Sequence, residues 1–305
     1  MLTIRRILFP TDFSDGAARA FPQAVDLADR HDAELHIVHV ADPQDEEDTT
    51  LPVSRDVLQD WLAESLENSP ALEGLSIVQE QVESDVPPER LVAYAEDMNI
   101  DLVVMGTHGR RGVRRMLMGS VTEEVVRKAP CPVLTVRTDT EGAPAQSIRR
   151  ILVPVDFSDA SEVAVDHAAE IASAYGAELT LLHVVEEVIY PSAYGVESPD
   201  VSSSGIVGRA EATLEEMARE NIGDEPVQVA AGIGYAPLTI LDYAKRNEMD
   251  LIVLATHGRT GFDRILLGSV AERVMRQAPT PVFLVKPNQQ SLVSAATITG
   301  APSSE

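Results

Sequence analysis

Asp101-Leu102-Val103-Val104-Met105-Gly106-Thr107-His108-Gly109 and, later in the same chain, Asp250-Leu251-Ile252-Val253-Leu254-Ala255-Thr256-His257-Gly258 are one pattern written twice. In each, an apolar run of strand length breaks into a loop that ends on glycine. After nine intervening residues, Gly119-Ser120 and Gly268-Ser269 open helical patterns. The copy extends outward. Arg6-Ile7-Leu8-Phe9-Pro10-Thr11-Asp12-Phe13-Ser14-Asp15 returns as Arg150-Ile151-Leu152-Val153-Pro154-Val155-Asp156-Phe157-Ser158-Asp159, and Ala33-Glu34-Leu35-His36-Ile37-Val38-His39-Val40 returns as Ala177 to Val184. The order is the same in both halves, so the chain is a tandem repeat.

Within a repeat, short continuous apolar runs alternate with helical patterns. Ile7–Pro10, Leu35–Val40, Leu75–Val82, Leu102–Met105 and Val133–Val136 read as strands. Ser14 caps a helix to about His31, with Asp15 in its first turn. Arg55–Glu67 places Val57, Leu58, Trp61, Leu62 and Leu66 on one helical face. Pro88 opens a helix to about Met98, and Ser120–Lys128 is another. This alternation predicts an α/β fold, each repeat a five-stranded parallel sheet with helices on both faces. Ligands of such sheets lie at the carboxyl ends of the strands, where strand order reverses. The boundaries predicted are a domain at 1–138, a linker at 139–147, a second domain at 148–287 and a disordered tail at 288–305, small and polar after Pro287. The ten residues Thr138–Ser147 reach roughly 30 Å extended. The apolar last strands, Val133–Val136 and Val282–Val285, are edges that invite pairing, so the repeats are expected to join antiparallel there as an intrachain pseudo-dimer.

The 305 residues carry 49 Asp+Glu against 24 Lys+Arg, a formal net charge of −25, with mean hydropathy −0.03. Nucleic acid and anionic membrane are repelled by such a surface. Lysine occurs only at 128, 245 and 286; carboxylate-rich, lysine-poor surfaces suit high salt. The lone Cys131 fits a reducing cytoplasm and, opening a buried strand, reads as inert packing. Met1–Phe13 has too short an apolar stretch for a signal peptide, and no run of 18 apolar residues suggests a membrane span.

The chemistry concentrates in the glycine loop. Glycines let backbone N–H groups approach a phosphate, and a helix beginning at Ser120 offers free N–H groups and a positive dipole end. The hydroxyls of Ser120 and Thr122 are candidate further donors. Arg110, Arg111, Arg114 and Arg115 crowd this loop of an otherwise acidic chain, where phosphate explains them as well as solvated ion pairing does. His108 and His257 read as bonded to local backbone, and His39 and His183 as satisfied polar groups. The run Asp45–Asp48 reads as a solvated loop. Gly232-Ile233-Gly234-Tyr235-Ala236-Pro237 mimics a dinucleotide fingerprint without its third glycine and reads as a turn into a helix.

The spacing Gly106-x2-Gly109-x9-Gly119-Ser120 is similar to the ATP-binding signature of universal stress proteins. With Pro10-Thr11-Asp12, His39-Val40 and Cys131-Pro132-Val133, the resemblance covers nearly the whole chain twice, as a tandem two-domain member. It implies a Rossmann-like, adenine nucleotide alpha hydrolase-like fold and ATP as ligand, with AMP or ADP as alternatives and Mg²⁺ bridging phosphates. Carried over by position, Asp12 contacts the ribose or adenine side and Val40 meets the base through its backbone. Gly106, Gly109, Gly119 and Ser120 hold ribose and phosphates, with Pro10, Thr11, Met105, Arg110 and Val121 completing the site. The second site comprises Pro154, Val155, Asp156, Val184, Leu254, Gly258, Gly268, Ser269 and Val270. It departs from the pattern at Ala255, whose methyl crowds the sugar, and its loop has fewer cations, Arg259 and Arg264.

The function so implied is nucleotide binding with a regulatory, stress-response role, an unidentified protein partner, and little or no turnover, with no catalytic residue assigned. The alternatives are a family member acting through protein contacts alone, and a weak ATP-hydrolysing enzyme. The chain lacks a Gly-x4-Gly-Lys-Ser/Thr loop, a Ser-Gly-Gly-x-Asp-Ser run and a His-x-Gly-His pair, which argues against dedicated ATP-consuming enzymes. Association of whole chains into a homodimer is opposed by net charge at low salt.

Overall fold

Strand β1 (Arg6–Pro10) runs into an extended turn, and the Ser14 hydroxyl then accepts the Ala17 N–H to start α1 (Asp15–His31). Asp32, at φ 50°, closes that helix. The second repeat uses the same devices: β6 (Arg150–Val155) leads to Ser158, which forms a capping box with Ser161 at the head of α4 (Asp159–Tyr175), and Gly176 ends it at φ 64°. The computed structural model describes residues 2–44, 74–107, 119–137, 147–186, 203–223, 225–258, 267–287 and 291–293. The predicted helix at 55–67, the acidic run from Asp45, the linker centre and the arginine-rich part of the glycine loop lie outside them.

The first repeat continues with β2 (Glu34–Ala41), β3 (Ile77–Glu83), α2 (Pro87–Asp97), β4 (Leu102–Gly106), α3 (Ser120–Lys128) and β5 (Val133–Val136). The second continues with β7 (Glu178–Val185), α5 (Ser203–Asn221), β8 (Val227–Ile233), α6 (Ala236–Arg246), β9 (Leu251–Ala255), α7 (Ser269–Gln277) and β10 (Val282–Val285). All strands join one sheet in the order β3-β2-β1-β4-β5-β10-β9-β6-β7-β8. Every pairing is parallel except the one between repeats, β5 with β10. There Leu134 faces Phe283, Thr135 faces Val282 and Val133 faces Leu284. Leu134 and Phe283 hold equivalent places in their repeats, so a pseudo-twofold axis passes between them. The predicted antiparallel seam is what the chain forms.

Because successive side chains point to opposite faces, the parallel strands feed two cores. Ile7 and Phe9 pack under α1 in one cluster, and Leu8 packs on the other side with Leu91 of α2 and Val125 of α3. Each cluster runs through both repeats, since Ile151 and Val153 share the first and Leu152 shares the second. Asp101 and Asp250 tie the sheet at its other end. The Asp101 carboxylate accepts the N–H groups of Arg5 and Arg6 at 2.7 and 3.0 Å, and Asp250 accepts those of Arg149 and Arg150, both at 2.9 Å. The aspartate that opens each repeated motif is thus a strand tie.

The tail reading needs correction at Ser291–Val293. Leu292 and Val293 are 1% and 6% exposed, Val293 bridges antiparallel to Leu2, and Thr3 N–H donates to Leu292 O at 2.9 Å. Composition hid this because two apolar residues in a polar run suffice to anchor it, Leu292 joining the core cluster that α4 also feeds. His167 of that helix holds the segment. Its Nδ1 meets the Val163 carbonyl at 2.8 Å, and its Nε2 meets the Leu292 N–H at 3.2 Å. A carbonyl only accepts and an N–H only donates, so the ring is the neutral Nδ1–H tautomer.

Two outcomes follow from this packing. Phe283→Ala, deleting a buried ring at the seam, is expected to lower stability by about 3–5 kcal/mol, read by urea denaturation. Burial holds the His167 imidazole below its ordinary value of 6.5. As pH falls, the unfolded chain takes up the proton first, so the contribution of the neutral ring is full above 6.5 and is lost as pH drops through the folded value. The native chain should therefore lose stability between pH 7.5 and 5.5 relative to His167→Gln; parallel pH dependences would contradict the tautomer.

Candidate functional site

Strands β1 and β4 are neighbours, but the chain leaves β1 toward β2 and leaves β4 toward β5. That reversal opens a crevice at their carboxyl ends. Thr11 and Asp12 follow β1, Val40 lies at the end of β2, and Met105 and Gly106 end β4. Gly119, Ser120 and Val121 begin α3 beside them. The second crevice gathers Pro154, Val155 and Asp156, Val184, Leu254, and Gly268 to Val270 in the same way. Since the repeats run antiparallel across the seam, the two crevices open at opposite ends of the strands. Gly109 and Arg110 lie outside the described residues.

The turn after β1 is fixed by side chains. Thr11 N–H donates to Val38 O at 2.9 Å, and the Thr11 hydroxyl accepts Phe13 N–H at 3.0 Å. Asp12 Oδ1 accepts both the N–H and the hydroxyl of Ser14, at 3.1 and 2.6 Å. Asp156 and Ser158 repeat this pair. Phe13 and Phe157 both sit at φ 60°, a left-handed conformation that bulky residues rarely adopt. Each ring lies against a histidine, with centroids 5.0 Å apart for Phe13–His39 and 4.4 Å for Phe157–His183. Those histidines donate Nδ1–H to the carbonyls of Thr11 and Val155, at 2.9 and 2.7 Å. They lock the turn, and the left-handed phenylalanine beside them has no signature in composition or periodicity.

At β4, Thr107 N–H reaches Val136 O at 3.0 Å, and Gly119 N–H closes the loop onto Thr107 O at 2.8 Å. Thr256 and Gly268 do the same with Val285 O and Thr256 O, at 2.9 and 2.8 Å. Neither α3 nor α7 has a side-chain cap, whereas α1 and α4 do. The N–H groups of the first turn of α3 and α7 thus have no side chain of their own cap residue to receive them. Gly119 has an ordinary φ of −62°, and a side chain there would meet Thr107 O at an unstrained 3.6 Å. The surrounding chain does not require glycine at that place. Gly258 differs: a side chain there would displace the Asp156 carboxylate. Gly234, at φ 143° between β8 and α6, confirms that the fingerprint-like stretch is a turn.

One sequence reading changes. Thr122, taken as a donor toward ligand, is buried and gives its hydroxyl to Gly106 O at 2.9 Å. The first turn of α3 places that hydroxyl over the end of β4, which spacing alone does not reveal. His257 Nδ1 also lies 2.9 Å from the Thr256 hydroxyl. Cys131 is fully buried and its thiol is pushed up to about 12 by desolvation, an inert residue at neutral pH. A cleft of about 890 Å³ bordered by Asp166, Glu170, Glu178, Glu220 and Gln228 lies at the opposite, amino ends of β7 and β8 and is separate from the crevice. No group of three His, Cys, Asp or Glu suited to a metal occurs among the described residues. Among them, no helix is long and apolar enough to cross a membrane.

Thr122→Val should cost about 1 kcal/mol by leaving the Gly106 carbonyl without its donor. Faster amide exchange at Thr107 and Gly119 under native conditions would check that the hydroxyl steadies the loop; unchanged exchange would contradict it.

The profile of the Universal stress protein family matches the chain twice, at residues 3–137 and 147–286. A universal stress protein of Mycolicibacterium smegmatis is 29% identical over 301 residues, covering 92% of this chain and 97% of that protein. One of Mycobacterium tuberculosis is 32% identical over 189 residues; that match covers 61% of this chain and spans 62% of the relative's length. Among solved structures, a universal stress protein from Archaeoglobus fulgidus superposes with a TM-score of 0.62 at 22% identity, covering 93% of this chain and 98% of that one. A functionally unknown protein from Pseudomonas aeruginosa superposes at 0.67, with 22% identity and 93% of each chain covered. With two matched domains, one repeated crevice and this shared fold, the chain belongs to the universal stress protein family.

Proposed function

We propose that the first repeat binds ATP, or another adenine nucleotide, in the crevice between β1, β4 and the start of α3. The observation that carries this reading is the uncapped amino end of α3, opened by Gly119 where the fold itself leaves room for a side chain. A phosphate there receives backbone N–H groups and the positive end of the helix. The nearby run Arg110-Arg111 and Arg114-Arg115 supplies cation in a chain of net charge −25. Val40, beside the β1 turn, offers backbone to a base, and Asp12, fixed by Ser14, offers its carboxylate to a ribose. Mg²⁺ would enter with the phosphates it bridges.

The second repeat binds more weakly. Ala255 adds a methyl at the end of β9, and the loop that follows carries fewer cations, Arg259 and Arg264. We assign no base for water in either site. Both aspartates already accept from serine, and neither glycine loop carries a lysine. The role proposed is therefore regulatory binding with little or no turnover, in a cytoplasm of high salt, through a protein partner that reads the loaded state.

Small molecules released from purified protein and read by mass spectrometry test the ligand. Calorimetry tests the site. Gly109→Val with Gly258→Val should weaken ATP at least tenfold, about 1.4 kcal/mol, and phosphate release by the native chain should stay below about 1 per second. Unchanged binding in the double variant would overturn the assignment.

A further inference from the structure

Lys286 follows β10 and is 8% exposed, yet it lies far in sequence from its partners. Its Nζ donates to Arg127 O at 3.0 Å and to Ala129 O at 2.7 Å, the last carbonyls of α3 in the other repeat. Arg137 holds the equivalent place after β5, and its Nη1 donates to Gln277 O at the end of α7, at 3.0 Å. Each seam strand thus ends in a cation that caps the carboxyl end of the other repeat's glycine-loop helix, where positive charge is favoured.

The strand residues just before these cations hold the glycine loops. Val285 O accepts Thr256 N–H, whose carbonyl accepts Gly268 N–H at the start of α7. Val136 O accepts Thr107 N–H, whose carbonyl accepts Gly119 N–H at the start of α3. The links close on themselves. From Gly119 the path runs down α3 to Lys286, back through Val285 and Thr256 to Gly268, down α7 to Arg137, and through Val136 and Thr107 to Gly119. Each helix has nine residues, about 13 Å of rigid connection. The ring passes through both candidate nucleotide sites and through both buried cores, which move between discrete packings rather than deforming smoothly.

We propose that this ring couples the two crevices, so that nucleotide in the first repeat tightens nucleotide binding in the second. The inference rests on the nucleotide reading above. An anion at Gly119 fixes the amino end of α3 and, through the rigid helix, the position of the carbonyls at its other end that hold Lys286. That fixes the end of β10 and with it Thr256 and Gly268, so the second site is ordered before its own ligand arrives. Linkage requires the same factor in reverse.

The test follows the Gly119 and Gly268 amides by NMR in chains labelled with ¹⁵N-glycine while ATP is added. In the native chain the Gly268 midpoint should lie at least fivefold below that in Gly109→Val, where the first site cannot fill. With Arg137→Met and Lys286→Met together, the two midpoints should agree within twofold. Should that double variant not fold, Arg137→Met alone breaks the more exposed link and should reduce the factor. Equal midpoints with both cations present overturn the coupling. A fivefold difference that survives removal of the cations overturns the ring as its route. Gly119 responding while Gly268 stays silent overturns the coupling but leaves the first site standing. Silence at both glycines overturns the nucleotide reading itself, and the coupling with it.

Discussion

The antiparallel ladder between β5 and β10 decides the rest of the architecture. Each of these strands is four residues long and wholly buried. Left as edges, Val133–Val136 and Val282–Val285 would expose apolar side chains and unpaired backbone. Joined, they turn two five-stranded sheets into one, let each face carry a single core through both repeats, and set the two crevices at opposite ends. Flanking contacts follow from the same placement. Tyr175 donates its hydroxyl to Asp26 at 2.8 Å and lies 4.1 Å under the Arg30 guanidinium, joining α4 to α1, while Arg276 meets Glu123 at 2.9 Å between α7 and α3.

An excess of carboxylates makes the position of each cation informative. Lys128 pairs with Glu124 at 2.7 Å and with Glu89 at 3.3 Å, linking α3 to α2 at the surface. Exposed pairs of this kind contribute little singly. Lys286 differs because it is buried, and desolvation lowers its ammonium to about 8. Two helix-end carbonyls offset part of that penalty. A lysine retained under cover in a chain with only three lysines argues that its contacts matter to the seam.

Much of this was legible in the sequence, and the physics says which part. Strand identity, the repeat and the seam depend on apolar patterning, which is local and periodic. Strand ends are less so: β3 spans Ile77–Glu83 rather than beginning at Leu75, because its limit is set by register against Leu35–Ala41 of β2. Glycine spacing located the loop but not the job of each atom in it. Thr122 turns inward because helix geometry aims it at β4. Phe13 takes a left-handed turn because His39 and Ser14 hold its neighbours. Leu292 and Val293 looked like tail because only a three-dimensional cleft gives two apolar residues something to cover. Contacts between residues far apart in sequence, such as Lys286 with Ala129, leave no periodic trace.

The repeats have diverged unevenly, and the pattern separates frame from site. The frame is duplicated: Asp101 and Asp250 tie the same strands, Asp12 and Asp156 hold the same serines, and His39 and His183 hold the same carbonyls. The crevice is not. Thr11 supports Phe13 with a hydroxyl that Val155 lacks, and Thr122 donates to Gly106 where the second repeat has Ala271 and Ala255 at the equivalent positions. The last two differences are physically one. A hydroxyl bound to the carbonyl at the end of β4 steadies a residue without a side chain, and a methyl on that residue stiffens the backbone by itself. The two repeats therefore steady the same turn by different means, a hydroxyl in the first and a methyl in the second.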